Sequence, residues 1–448
     1  KEKKAYYNVH NASTFVSMKR IGGFNMQEVS VGILGLGTVG SGVVQILEQN
    51  ADDIQNRSQT RFSVSKVLVR NPQASRNITG DFLLTDKPED ILKDPQIDIV
   101  VEVMGGIEPA RTYILEALRN GKNVVTANKD LLALHGHELL DAAKEVGKDL
   151  FFEASVAGGI PIIASLKESL TANKITEILG IINGTTNYIL TAMTEQGRDY
   201  NEVLKEAQEL GYAEADPTAD VDGLDAARKL AILASIAFNS RVTVDDVYVE
   251  GISKITAEDI AYAKELDSTI KLLAVGKHLE DEGIEVRVHP AIIPNSHPLA
   301  AVSGVFNAVY VVGDAVGETM FYGRGAGSLP TGSAVVADII QIARNMQTNA
   351  TSNINCTCYN ELPIKDRKDF RSAFYIRLRV KDEPRVLATL ALLFAEANVS
   401  FHSIIQKQKK RQEAEIVLVT HPTQESQLRE ALESVRAYSK VLRVDNVI

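Results

Sequence analysis

The chain is predicted to be α/β: a doubly wound parallel sheet, then an α+β region, then a small C-terminal βαββαβ unit. Three observations predict this. Short apolar runs alternate with helical patterns through the first third of the chain. A Gly-x-Gly-x-x-Gly turn, Gly35-Leu-Gly37-Thr-Val-Gly40, separates the first such run from the first such helix. The pattern then restarts in a different order after a polar stretch at 348–371.

Residues 29–34 form the first expected strand, and Val43, Val44, Ile46 and Leu47 follow at helical spacing. Further strands are expected at 62–69, 97–102, 123–126 and 150–153, with a helix over 130–146. Strands separated by helices need crossover connections and therefore a parallel sheet. Residues 26–154 are thus expected to be a Rossmann-type dinucleotide-binding domain. Residues 155–347 alternate less strictly: a strand at 174–182, helices at 186–196, 200–210 and 223–238, strands near 285–288 and 308–312, and a helix at 333–344. This suits an α+β substrate-binding and dimerisation domain. Residues 348–371 are polar and are expected to be a linker. From 372 to 448 the order strand, helix, strand, strand, helix, strand is the ferredoxin-like unit. Residues 1–25 mix Lys, Asn, Ser and Tyr without periodicity and are expected to be a disordered extension.

Composition removes several function classes. A chain of 448 residues suggests about two to four domains. The formal net charge of -10 argues against a nucleic-acid partner, which needs clustered Lys and Arg; the one dense basic run is 407–411. An apolar stretch of about 20 residues, as a membrane span requires, is missing from the sequence. Only two cysteines occur, Cys356 and Cys358. They make no disulfide framework, so a reducing cytoplasm is the expected compartment.

The three glycines of the turn have separate tasks. Gly35 permits the tight turn, Gly37 lets backbone approach a pyrophosphate, and Gly40 allows close packing, while the following helix N-terminus faces the phosphates. An NAD site usually has a carboxylate at the end of the second strand; here Arg70 stands there. Arginine can pair with a 2′-phosphate, which favours NADP(H) over NAD(H). The alternative is that Arg70 is a solvated loop residue.

The segment 207–229 gathers Glu209, Glu214, Asp216, Asp220, Asp222 and Asp225. Asp225 and Lys229 are i and i+4 on one helix and share a face. Ala226, Ala227, Leu230, Ala231, Leu233 and Ala234 make that helix apolar, so both charges are expected in a partly buried site. Burial makes a lysine lose its proton more readily.

This segment resembles the homoserine dehydrogenase signature: Ala, three residues, Gly-Tyr, then Asp-Pro, then Asp-Val-Asp-Gly-Leu-Asp, three residues, Lys. Residues 124–129, 153–160, 182–187 and 323–327 are similar to the same family, and the resemblance spans about 27–345. It implies interconversion of L-homoserine and L-aspartate 4-semialdehyde in threonine, methionine and isoleucine biosynthesis. Lys229 matches the family's acid/base lysine, and Lys129 a lysine between cofactor and substrate that polarises the reacting oxygen. Glu214 and Asp225 match carboxylates for the homoserine ammonium, with Asp220 in support of Lys229 or the substrate. Gly35, Gly37, Thr38, Val39, Gly40, Arg70, Lys129 and Gly327 match cofactor positions. Glu153, Val156, Gly158 and Ile160 match a site that binds sodium through backbone carbonyls. His297 lies in a turn that either approaches the site or does not. His135 and His137 face apart on their helix, which excludes a metal pair.

Residues 372–448 resemble an ACT domain, and with it the chain looks like the monofunctional bacterial members of the family. The implied effector is threonine, and the implied assembly is a homodimer or homotetramer. One departure stands out: the ACT turn usually reads Asp-x-Pro-Gly, and here Asp382-Glu-Pro384 is followed by Arg385. Arginine hinders a ligand's approach to backbone that glycine would leave open. A dimerisation unit without a ligand is the alternative.

Overall fold

The first strand, β1 (Gln27–Leu34), buries Val29, Val31, Ile33 and Leu34 completely, pointing apolar side chains to both faces. A strand covered on both sides belongs in the middle of a parallel sheet with helices above and below. The computed structural model describes residues 27–448 apart from 77, 79, 281, 349, 352–355 and 411; the expected N-terminal extension lies outside the described residues. After β1 come α1 (Thr38–Gln49), α2 (Ala51–Ser58), β2 (Thr60–Leu68), β3 (Leu83–Thr85), α3 (Glu89–Leu92), β4 (Ile99–Glu102), α4 (Ala110–Arg119), β5 (Asn123–Thr126), α5 (Lys129–Glu145) and β6 (Leu150–Phe151). The sheet is parallel with strand order β3-β2-β1-β4-β5-β6. The order reverses between β1 and β4, which opens a crevice at the carboxyl ends of these strands.

The middle region contains β7 (Ile175–Ile181), α6 (Gly184–Gln196), α7 (Tyr200–Glu209), α8 (Thr218–Val221), α9 (Leu224–Ala237), β8 (Tyr248–Val249), α10 (Ala257–Glu265), β9 (Ser268–Leu279), β10 (Gly283–Pro294), β11 (Phe306–Gly313) and β12 (Gly317–Arg324). These strands form a second sheet in the order β12-β11-β7-β9-β10-β8, with α6 and α9 packed on β9. The β9–β10 hairpin is much longer than the strand expected at 285–288.

α11 (Ser328–Gln347) then returns to the first domain. Ala334, Val335, Val336, Ile339 and Ile342 share a core with Val29, Val43 and Val44. The approach of α11 to α1 is close: a Cβ on Gly42 would lie 2.2 Å from the Ser328 carbonyl. α11, at the end of the region 155–347 expected to be the substrate domain, is seated against the nucleotide sheet, because its apolar stripe completes that sheet's core. Part of the expected linker is also strapped down, with Lys365 N–H donating to the Ile284 carbonyl at 2.8 Å.

The C-terminal unit contains β13 (Arg371–Ser372), β14 (Tyr375–Lys381), α12 (Val386–Glu396), β15 (Phe401–Lys410), β16 (Glu413–Thr420), β17 (Thr423–Gln424), α13 (Glu425–Ala437) and β18 (Val441–Val447). Its antiparallel sheet runs β15-β16-β14-β18, with Leu390 and Phe394 of α12 and Leu428 and Val435 of α13 covering one face. The other face docks on α10 through buried charges. Arg377 Nε donates to Asp259 at 2.8 Å and its Nη1 to Glu415 at 3.2 Å. Tyr262 donates to Glu415 at 2.7 Å, and Asn446 to Asp259 at 2.8 Å. Asp259 is wholly buried.

Candidate active site

The nucleotide crevice is built from backbone. Gly35 has φ 108°, a region that suits glycine. A Cβ on Gly40 would stand 2.1 Å from the Gly35 carbonyl, so that glycine is required by the turn itself. In front of Gly37 there is open space, where a Cβ would meet nothing within 4 Å. No side chain caps the N-terminus of α1, so the N–H groups of its first turn, beginning with Thr38 and Val39, are open to an anion. The Ser328 hydroxyl donates to the Thr38 carbonyl at 2.7 Å, placing Gly327 (φ 118°) beside this turn. Arg70 is exposed just past β2.

Across the switch point, Glu102 ends β4 fully buried. It accepts from Met104 N at 2.8 Å, from Gly105 N at 3.3 Å and from the Thr126 hydroxyl at 2.7 Å. Burial raises its pKa, and these hydrogen bonds only partly offset that. Asn128 caps α5 through Leu131 N at 3.2 Å and donates to the Gly106 carbonyl at 2.7 Å. The cap fixes the direction in which α5 leaves the sheet, and Lys129 is its first residue.

The two lysines singled out by the sequence meet at one carboxylate. Lys229 Nζ lies 2.7 Å from Asp225 Oδ2, and Lys129 Nζ lies 3.4 Å from Asp225 Oδ1. Lys229 also donates to the Ile182 carbonyl at 2.8 Å. An ammonium has three donors, so a third remains for a substrate oxygen. An Arg228–Asp130 ion pair at 3.2 Å ties the start of α5 to α9. Burial alone would raise the pKa of Asp225. The adjacent Lys229 and Lys129 charges and the hydrogen bonds from Lys229 and Asn183 outweigh it and bring it down to about 2.

The remaining candidates are spread more widely. Asp220 does not touch Lys229; it accepts from Asn183 Nδ2 at 2.7 Å, and the Thr185 hydroxyl stands 3.0 Å from its other oxygen. Glu214 is exposed, and among the described residues its carboxylate has no hydrogen-bonded or ionic partner. The oxygens of Asp225 are engaged by the two lysines and Asn183, so its chief contacts are with the amines. His297 caps a short turn through Leu299 N at 3.1 Å and stacks near Tyr310. Among the described residues, no cluster of three or more His, Cys, Asp or Glu side chains could hold a metal.

Comparison with known proteins supplies the observation that decides the family. A family model described as homoserine dehydrogenase matches residues 161–340, its NAD-binding domain model matches 35–153, and an ACT domain model matches 374–439. The homoserine dehydrogenase of Bacillus subtilis is 47% identical over 422 residues, 94% of this chain and 97% of that protein. That of Synechocystis is 48% identical over 433 residues, 94% of this chain and 99% of that protein. The chain belongs to the homoserine dehydrogenase family.

Membership makes the chain a nicotinamide-dependent oxidoreductase with a C-terminal ACT domain. The crystal structure of a homoserine dehydrogenase from Thiobacillus denitrificans superposes with a TM-score of 0.89 at 44% identity, over 94% of this chain and 97% of that one. A hyperthermophilic archaeal homoserine dehydrogenase in complex with NADPH superposes with a TM-score of 0.60 at 27% identity, over 70% of this chain and 98% of that one.

The four positions expected to bind sodium lie in a tight loop where Ala157 and Gly158 both have φ 56°. The Glu153 carboxylate points inward and accepts from Ile163 N at 2.7 Å and Ala164 N at 2.6 Å. The Ile160 carbonyl accepts from Ile162 N at 2.9 Å, and that of Glu153 from Val156 N at a long 3.5 Å. The carbonyls of Val156 and Gly158 accept no hydrogen bond among the described residues. Two free carbonyl oxygens fit a hard cation in their donor chemistry. Sequence reasoning missed Glu102, Asn128 and Asn183. Each is a buried polar residue next to an element end, and Asn directly before an apolar helix is a capping signal that could have marked the last two.

Proposed function

We propose that the chain interconverts L-aspartate 4-semialdehyde and L-homoserine with NADP(H), in the biosynthesis of threonine, methionine and isoleucine. The observation that carries this is the shared contact of Lys129 and Lys229 with Asp225. In reduction, hydride passes from the nicotinamide to the aldehyde carbon and Lys229 supplies the proton to the oxygen; oxidation runs the same step backwards. Lys129, more exposed than Lys229, polarises that oxygen beside the cofactor. Glu214, whose carboxylate has no partner among the described residues, takes the substrate ammonium, and Asp225 holds the amines in place.

Support for NADP(H) comes from Arg70, which follows β2 with no carboxylate adjacent to it in the sequence. Arg76 braces the same loop through the Ala74 and Asn71 carbonyls at 2.8 and 2.7 Å. The NADPH held by the archaeal relative agrees. NAD(H) is the weaker substrate on this reading. Sodium would be held by the carbonyls of Glu153, Val156, Gly158 and Ile160 and would brace the loop joining the two domains. A threonine effector would act at the ACT domain. The free thiols Cys356 and Cys358 suit the cytoplasm. Met320 and Tyr322, exposed on edge strand β12, suit assembly as a homodimer or homotetramer.

The test is Lys229→Ala. Turnover in both directions should fall by about 100-fold or more, the usual contribution of a positioned acid or base, while NADPH binding measured by fluorescence is retained. Turnover close to that of the unsubstituted protein would refute the role of Lys229.

A further inference from the structure

Asn183 has no assigned part in the chemistry, yet its side chain lies at the centre of the charged cluster. It is the residue before α6 and is almost completely buried. Its Oδ1 accepts from Thr186 N at 2.9 Å, which caps the helix. Its Nδ2 donates to Asp220 Oδ1 at 2.7 Å and to Asp225 Oδ2 at 2.9 Å. An amide nitrogen has two donors, and both are used on carboxylates. The orientation of the amide is therefore set chemically, since the flipped form would face an acceptor with an acceptor.

The arrangement solves a problem in electrostatics. Two carboxylates on α8 and α9 are drawn to one small volume, where like charges repel each other. A neutral group that donates one N–H to each separates them without adding charge. Asp225 Oδ2 accepts from Asn183 and from Lys229 at once, which leaves Oδ1 turned toward Lys129. The amide is a neutral contact anchored at the start of α6, and it steadies the rotation of the carboxylate between the two amines.

We propose that Asn183 is a positioning residue for proton transfer, acting through Asp225 to set Lys129 and Lys229 together. This rests on the reading of Lys229 as the proton carrier. It adds a claim of its own: the Nδ2 donor, rather than the helix cap, is what turnover needs.

Two substitutions separate the donor from the cap. Asn183→Asp keeps an oxygen that can cap α6 and replaces the donor with an acceptor. Asn183→Ser keeps a capping oxygen and is too short to bridge Asp220 and Asp225. Aspartate and serine are both good N-cap residues. Misplacing a reacting group by about 1 Å can cost about 100-fold in rate, and we expect both variants to lose about that much kcat while NADPH binding is kept. The two should then diverge with pH. Lowering the pH returns a proton to the carboxyl at 183, restoring a donor, so the deficit of Asn183→Asp shrinks as the solution is acidified while that of Asn183→Ser stays constant. Folded variants with kcat within threefold of the unsubstituted protein across the pH range would overturn the proposal. So would equal, pH-independent losses in both, since a role that does not depend on the Nδ2 donor predicts that. If Lys229→Ala also retains turnover, the underlying reading fails; if Lys229→Ala is inactive and the Asn183 variants are not, only the role of Asn183 fails.

Discussion

Replacing Asp225 with asparagine removes one charge and almost no volume, and its effect can be sized from the structure. The carboxylate pKa is lowered from 3.8 to about 2 in spite of burial. At about 1.4 kcal/mol per pH unit, the surroundings favour the ionised form by about 2 kcal/mol. The sign follows from the direction of the shift. A lowered carboxylate pKa contributes stability in full above the unfolded value of 3.8 and loses it as pH falls through about 2. At neutral pH the whole contribution is present. The attraction is mutual, so asparagine withdraws a comparable energy from holding the two ammonium groups. If the transition state needs both amines in place, about 2 kcal/mol corresponds to a loss on the order of 30-fold in kcat. The assay is steady-state turnover in both directions at saturating cofactor, with NADPH binding as the control for folding. Asp225→Asn should keep that binding and lose turnover to this extent. A kcat within threefold of the unsubstituted protein would refute the reasoning, because the amines would then hold their places without the carboxylate.

Three further outcomes are expected. Arg70→Glu should shift the ratio of kcat/KM for NADP over NAD toward NAD by about tenfold or more, as loss of a charge-assisted contact requires; an unchanged ratio would show that Arg70 does not face the 2′-phosphate. Arg385 has φ 74° ahead of α12, a left-handed conformation that suits glycine; Arg385→Gly should therefore stabilise the ACT domain by about 1 kcal/mol, read as a raised calorimetric transition, and a lowered one would contradict the strain. Asp338 is buried, and burial followed by the nearby Glu153 charge raises its pKa well above the usual range. A raised carboxylate pKa contributes stability at low pH that is lost as pH rises through the folded value. Melting temperature should thus decline as pH rises above 3.8, and Asp338→Asn should flatten that decline; an identical pH dependence in the variant would remove Asp338 as its source.

Much of this architecture was readable from residues whose spacing follows from geometry. Gly35 and Gly40 mark the turn because backbone constrains them, and Gly37 because it leaves open space in front of the turn. Asp225 and Lys229 marked their shared face because helical neighbours recur at i+4. Much of what escaped had no local signature. β9 is buried along most of its length, so its apolar residues do not alternate, and Lys271 in the middle of it gives the look of a surface segment. Lys271 is instead satisfied by Asn187 at 3.1 Å and the Val302 carbonyl at 2.6 Å, partners far off in sequence. α10 was overlooked although Thr256 and Asp259 form a capping box, because the helix is short. The same limit applies to the site. The meeting of Lys129 with Asp225 depends on how α5 and α9 pack, and no run of sequence contains both. The attachment of α11 to the nucleotide sheet depends likewise on a contact between Gly42 and Ser328 far apart in the chain.

The buried charges beneath the C-terminal unit bear on how that unit can be separated or moved. Cutting the chain ahead of Tyr375 would leave Asp259 and Tyr262 facing water where they now face Arg377, Glu415 and Asn446. The trimmed body would carry a newly wetted acidic scar on α10, next to the strand that follows it. A swing of the intact unit away from the body would have to strip the same guanidinium and carboxylates together, and a buried ion pair that loses one partner costs about 3–5 kcal/mol. Rigid seating is therefore the rest state, and a signal entering through the appended sheet would reach the rest of the chain as a small shift at α10 and at the Arg287–Ser372 contact on β10 rather than as a detachment.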